Sequence, residues 1–174
     1  CSGIDLLTGE EDLWGCFKPD RPRTNEKKGK PIKYEHPPKV PTGIFALRLP
    51  LHIWQRIADR HEVEILPGDV DNTQSDFGFW RWLLKHPSIP LCLTEGAKKA
   101  GALLSIGYAA IALPGVNSGY RTPKDEFGNR IGKSRLIPQL EKLTRNREVG
   151  IVFDRDSKPN TVKAVNAAIR KMGY

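Results

Sequence analysis

A chain of 174 residues with 39% hydrophobic and 28% charged side chains can bury one sizeable core, or one core with an appendage, and no stretch of it nears the ~20 apolar residues of a membrane span. It opens Cys1-Ser2-Gly3-Ile4-Asp5, with neither a secretory signal nor an initiator Met, so it reads as a piece of a longer protein. Three scattered cysteines, Cys1, Cys16 and Cys92, argue against a disulfide framework and for a reducing compartment, the cytoplasm.

The net charge of +8 is unevenly spread: −4 over residues 1–17, +7 over 18–60, −5 over 61–80 and +10 over 81–174. Two basic blocks around an acidic one predict a polyanionic partner, because each Lys or Arg that meets a phosphate releases a counterion. Nucleic acid is the natural candidate, and a solvated basic face is the alternative.

Residues 1–74 are turn-rich. Prolines in Lys18-Pro19-Asp20-Arg21-Pro22-Arg23, at Pro31 and in His36-Pro37-Pro38-Lys39 forbid long helices and central strands. Short strands are expected at 31–35 and 43–49, and a helix at 51–61 with Ile53, Trp54, Ile57 and Ala58 along one face. This gives a small, irregular, basic α+β N-terminal region, a candidate for DNA contact.

From residue 75 helix and strand alternate. A helix is predicted over 76–86, with Ser75 as N-cap and Pro87 as stop, then a buried strand at 89–94. A helix over 97–106 follows, with Ala97, Ala100, Leu103 and Leu104 inward and Gly107 ending it. A strand at 108–113, a long polar loop at 115–134, a helix at 136–144, a strand at 149–153 and a helix at 160–172 complete the pattern. Such alternation predicts an α/β unit over 75–174, a parallel sheet with crossover helices, whose apolar strands are covered on both faces.

Ligands of such sheets sit at the carboxyl ends of the strands. There stand Glu95 after the first strand, and Asp154 and Asp156 after the third. Parallel strands would gather these carboxylates at one rim, although each alone could simply cap the following helix. Mg²⁺ takes one or two carboxylates, keeps water and lets substrate phosphates complete its octahedron, and Glu95 could complete that set or act as a general acid/base beside it.

Lys98 and Lys99 occupy the first turn of the helix after Glu95, where cations oppose the helix dipole at a cost of about a few tenths of a kcal/mol. A bound phosphate would explain them; plain solvent exposure is the alternative. Arg121, Lys124, Arg130, Lys133 and Arg135 lie in or beside the long loop and suit substrate contact. Arg155 and Lys158 flank the aspartates and suit phosphate; offsetting carboxylate repulsion is the alternative for Lys158. Gly132-Lys133-Ser134 is not a P-loop, because the first glycine would fall on Phe127 and no strand precedes it. His36, His52, His61 and His86 lack metal-ligand spacing. Phe77, Phe79, Trp80 and Trp82 read as core. Trp14, Phe17 and Tyr34, among basic residues, are better placed to stack on single-stranded bases, with packing favoured for Trp14.

Several segments together resemble the Toprim domain of DnaG-type primases, topoisomerases and nucleases. They are Leu93-Thr94-Glu95-Gly96 with its Lys/Ala-rich helix, Ala112-Leu113-Pro114-Gly115-Val116, and Val152-Phe153-Asp154-Arg155-Asp156. The chain is more similar still to the uncharacterised Toprim-like domain of plasmid and phage replication proteins, whose leader resembles Trp14-Gly15-Cys16-Phe17-Lys18-Pro19 and Ile32-Lys33-Tyr34-Glu35. The resemblance implies a Toprim-like sheet, Glu95 as catalytic glutamate, and Asp154 and Asp156 as the metal-binding pair for Mg²⁺, with Mn²⁺ as an alternative. It implies partners too: single-stranded or primer–template DNA, nucleoside triphosphates, and a fused or associated helicase. A complete Toprim sheet has a further strand after the last helix, which this sequence does not reach. The expected activity is primase-type nucleotidyl transfer in a DNA replication protein. Metal-dependent strand cleavage and a non-catalytic DNA-binding module are the alternatives. A topoisomerase would need a tyrosine nucleophile, and Tyr34, Tyr108, Tyr120 and Tyr174 have no context for that role.

Overall fold

The computed structural model describes residues 2–26, 29–70, 75–155 and 157–173. Cys1, Asp156 and Tyr174 lie outside the described residues, as do the side chains of Ser75 and Phe77.

The N-terminal part is built from short pieces. β1 (Ser2–Ile4) and β2 (Glu11–Gly15) pair antiparallel, as do β3 (Thr24–Asn25) and β4 (Lys30–Pro31). The strand expected over 31–35 narrows to Pro31 and a single bridge of Glu35 to Phe17. That expected over 43–49 is one antiparallel bridge, Phe45 to Ala112, with Phe45 N–H donating at 2.8 Å. Here the chain runs along an edge of the main sheet for one residue and leaves. Gly3 abuts it so closely that a Cβ would stand 2.8 Å from the Ala46 carbonyl oxygen. α1 (Leu51–Arg60) buries Trp54, Ile57 and Ala58 along the expected face.

α2 (Ser75–Lys85) buries Phe79, Trp80, Trp82 and Leu83, so these aromatics are core. The Trp54 ring lies edge-on to Phe79 and Trp82, at 6.3 and 5.6 Å between centroids. Indole N–H groups then tie α2 to the earlier chain: Trp80 Nε1 donates to Leu47 O at 2.9 Å and Trp82 Nε1 to Glu64 O at 3.2 Å. One apolar cluster runs from Ile4 and Trp14 through these rings into the sheet.

The sheet is made of β5 (Leu91–Glu95), β6 (Ala110–Leu113) and β9 (Val149–Val152), in the order β6–β5–β9, all parallel. α3 (Ala97–Ser105) makes the crossover from β5 to β6. It ends in a Schellman motif: Gly107 at φ 92°, Gly107 N–H to Leu104 O at 3.0 Å, and Tyr108 N–H to Leu103 O at 3.0 Å. Every residue of β6 is buried, as expected for a covered strand. β9 differs from the expected cover on both faces: Gly150 and Val152 are exposed while Val149 and Ile151 are half-buried, so one of its faces is less covered than the other.

The polar loop is a folded arm. β7 (Tyr120–Arg121) and β8 (Arg135–Leu136) pair antiparallel at its base. Leu136 therefore belongs to a strand, and α4 (Pro138–Thr144) starts later than expected, with Pro138 supplying a preset φ at its first turn. α5 (Pro159–Met172) begins in the same way and closes the described chain.

Candidate functional site at the carboxyl edge of the sheet

Glu95 ends β5, half-buried, and Gly96 at φ 83° turns the chain straight into α3. The neighbouring strand β9 stays in register, Thr94 opposite Val152, so Asp154 lies just past the same edge. Thr94 is the one buried polar side chain among the described residues. Its hydroxyl donates to the Val152 carbonyl at 2.8 Å, which fixes where the backbone leaves β9 toward Asp154.

Asp154 has a partner. Lys99 Nζ reaches it from the first turn of α3 at 2.5 Å, with side-chain exposures of 44% for Lys99 and 71% for Asp154. This contact offsets both the dipole cost of a first-turn lysine and the negative charge of Asp154. Among the described residues no group of three His, Cys, Asp or Glu is placed to hold a metal. Of the three predicted carboxylates, Glu95 and Asp154 come to one edge, and Asp156 lies outside the described residues.

The predicted phosphate-binding residues divide. Lys98 is exposed beside Lys99, Arg155 is exposed beside Asp154, and Lys158 holds the N-cap position of α5. Lys133 is exposed on the arm. Arg121 is engaged by the protein: its guanidinium donates to the carbonyls of Ser118, Tyr120 and Thr42 at 3.0, 2.8 and 2.7 Å, tying the arm to the N-terminal part. Trp14 is buried against Phe45 and His36, while Phe17 and Tyr34 are exposed, at 57% and 51%.

Sequence reasoning passed over Thr94 and Arg147. A threonine ending an apolar strand is a visible signal for the first. Arg147 carries none, since only the fold turns it inward. Its guanidinium donates to the carbonyls of Leu83, His86, Ile89 and Leu143, and burial pushes its pKa down to about 10.

The family described as a domain of unknown function (DUF3854) matches residues 79–174, more than half of the chain and all of the sheet with its helices. The chain belongs to the DUF3854 family. It is also 53% identical over 175 residues to an uncharacterized protein of Picosynechococcus sp., a match that covers 99% of this chain and 17% of that relative. The chain thus spans about one sixth of that protein's length. No solved structure matches the chain.

Proposed function

We propose that this DUF3854 domain is a divalent-metal site of the Toprim kind within a cytoplasmic DNA replication protein, and that it carries out primase-type nucleotidyl transfer on single-stranded DNA. The observation that carries the reading is the placement of Glu95 and Asp154 at the carboxyl edge of adjacent parallel strands, with Thr94 bonded to Val152 between them.

The donor chemistry fits Mg²⁺ or Mn²⁺: both carboxylates are hard oxygen donors, and Mg²⁺ asks for only one or two of these beside water and phosphate. Asp154 and Asp156 would hold the ion, which when bound neutralises charge on the reacting phosphate. Glu95 would take the proton from the attacking hydroxyl. Lys98, Arg155, Lys133 and Lys158 would bind phosphates of template and nucleotide. Lys99 occupies Asp154 until metal and phosphate arrive, and an exposed pair of this kind is weak enough to be displaced.

Primer synthesis from nucleoside triphosphates on single-stranded DNA tests this. Glu95→Gln and Asp154→Asn each abolish synthesis on this reading; undiminished synthesis in both overturns it. Nicking of DNA without nucleotide incorporation would assign the same residues to strand cleavage instead.

The Lys99–Asp154 ion pair favours a second reading, a DNA-binding module whose carboxylates are structural. It predicts salt-sensitive binding without metal that survives loss of Glu95, Asp154 and Asp156.

A further inference from the structure

The arm between β6 and α4 leaves the same sheet edge as Glu95. It is held along its length. The Thr122 and Ser134 hydroxyls join at 2.7 Å, and Ile131 N–H donates to Pro123 O at 2.9 Å. Lys124 bridges Arg130. At the tip, Asp125 Oδ1 accepts from Phe127 N–H at 3.0 Å and from Asn129 N–H at 2.7 Å, with Gly128 at φ 84° completing the turn. The carboxylate of Asp125 is thus used in shaping the tip.

Two features of this ordered arm lack an explanation among the described residues. Phe127 stands at the tip with 81% of its surface exposed. Beside the Tyr120–Leu136 pair, two cross-strand pairs oppose cation to cation, Arg121 to Arg135 at the base and Lys124 to Arg130 on the shaft, and of these four cations only Arg121 is shown spent on protein carbonyls among the described residues. Like charges directly opposite each other destabilise a hairpin. Lys133 adds a further exposed cation, and Lys171 of α5 lies 5.5 Å from the centroid of the Tyr120 ring at the base. A polyanion laid along the arm would remove the repulsion, and an unstacked base would cover the ring.

We propose that this arm engages a single strand of nucleic acid, with phosphates along Lys124, Arg130, Lys133 and Arg135 and one base stacked on Phe127. The proposal rests on the preceding reading only in taking nucleic acid as the polyanion. Duplex hides the faces of its bases, so a lone ring on a stiff tip selects single strands.

The test is anisotropy of a fluorescein-labelled oligo-dT strand binding the protein in EDTA, with a labelled duplex alongside. Phe127→Ala weakens single-strand binding about tenfold, Phe127→Tyr restores it, and duplex binding stays unchanged. Lys124→Ala combined with Lys133→Ala flattens the dependence of log K on log salt by about 1.4, roughly 0.7 for each phosphate no longer neutralised. Arg130→Glu lowers affinity without lowering the melting temperature, because it replaces a repulsive cross-strand pair by an attractive one. Unchanged single-strand affinity and salt slope across these variants overturn the proposal. An equal loss for single strand and duplex in Phe127→Ala overturns the stacking role. Self-association in wild type that Phe127→Ala abolishes, with DNA affinity intact, assigns the tip to a protein contact and also overturns it. Strand binding is read in EDTA, where no divalent ion takes part, so its outcome bears on the arm, whereas loss of primer synthesis in Asp154→Asn bears on the metal site.

Discussion

Lys99 and Asp154 meet across the carboxyl edge of the sheet, ammonium to carboxylate at 2.5 Å. The contact joins the first turn of α3 to the exit of β9, the two segments that the proposed metal and phosphate would share. An exposed pair contributes roughly 0–1 kcal/mol. Lys99→Ala should therefore shift the melting temperature by no more than about 4 °C. Its larger effect falls on ligands: Mn²⁺ binds more tightly once Asp154 has no competing cation, and nucleoside triphosphate binds more weakly. Calorimetric titration of each ligand reads both directions. A fall in Mn²⁺ affinity would show that Lys99 orients Asp154 instead of competing for it.

The Thr94 hydroxyl sets the exit of β9 from inside the core. Thr94→Val keeps the shape and removes the donor to Val152 O. A loss of about 1 kcal/mol is expected in urea unfolding, together with weaker metal binding, because the segment bearing Asp154 is no longer fixed. Thr94→Ser keeps the hydroxyl and should recover the metal affinity.

Arg147 should matter most to folding. Its carbonyl acceptors come from the end of α2, the turn into β5 and α4, so one half-buried fork ties three segments. Arg147→Ala removes one donor from four carbonyls, of which Leu83 O and His86 O keep a backbone N–H, and is expected to cost about 2 kcal/mol or more in denaturant unfolding. Arg147→Lys recovers only part, since an ammonium cannot reach the same spread of acceptors.

His61 gives the fold an acid-sensitive point. Burial first, and the Arg60 charge second, hold its pKa below 6.5, and its Nε2 is buried without a hydrogen-bond partner among the described residues. As pH falls below 6.5 the unfolded chain takes up this proton before the folded one does, so the contribution of His61 to stability declines with acid. Unfolding free energies at about pH 7.5 and about pH 5 should differ less in His61→Gln than in wild type. Equal differences in the two proteins would contradict the assignment.

The sheet and its helices were legible because their signals are local: apolar runs at 91–95 and 110–113, Gly107 after α3, and Pro87 after α2. The pairing of β1 with β2 was not. Leu13 is 86% exposed and Trp14 is 2% exposed in a stretch otherwise crowded with acids, which blurs alternation. The arm was hidden for a physical reason: it has one ladder of two pairs and one isolated bridge, Pro123 interrupts one side, and two of its three facing pairs set cation against cation, which no hairpin rule favours. Asp125 and Gly128 offered the one usable turn signal. At the site, Glu95 and Asp154 could be placed from strand ends alone. The Lys99 contact could not, because its partners stand 55 residues apart and it depends on the course of the chain past the end of β9.

A divalent cation at this edge is read by Mn²⁺ titration followed by paramagnetic resonance. Wild type should bind one Mn²⁺ that Mg²⁺ displaces, and Asp154→Asn should weaken binding by at least about tenfold. Equal Mn²⁺ binding by wild type and Asp154→Asn, or none by wild type, would contradict it.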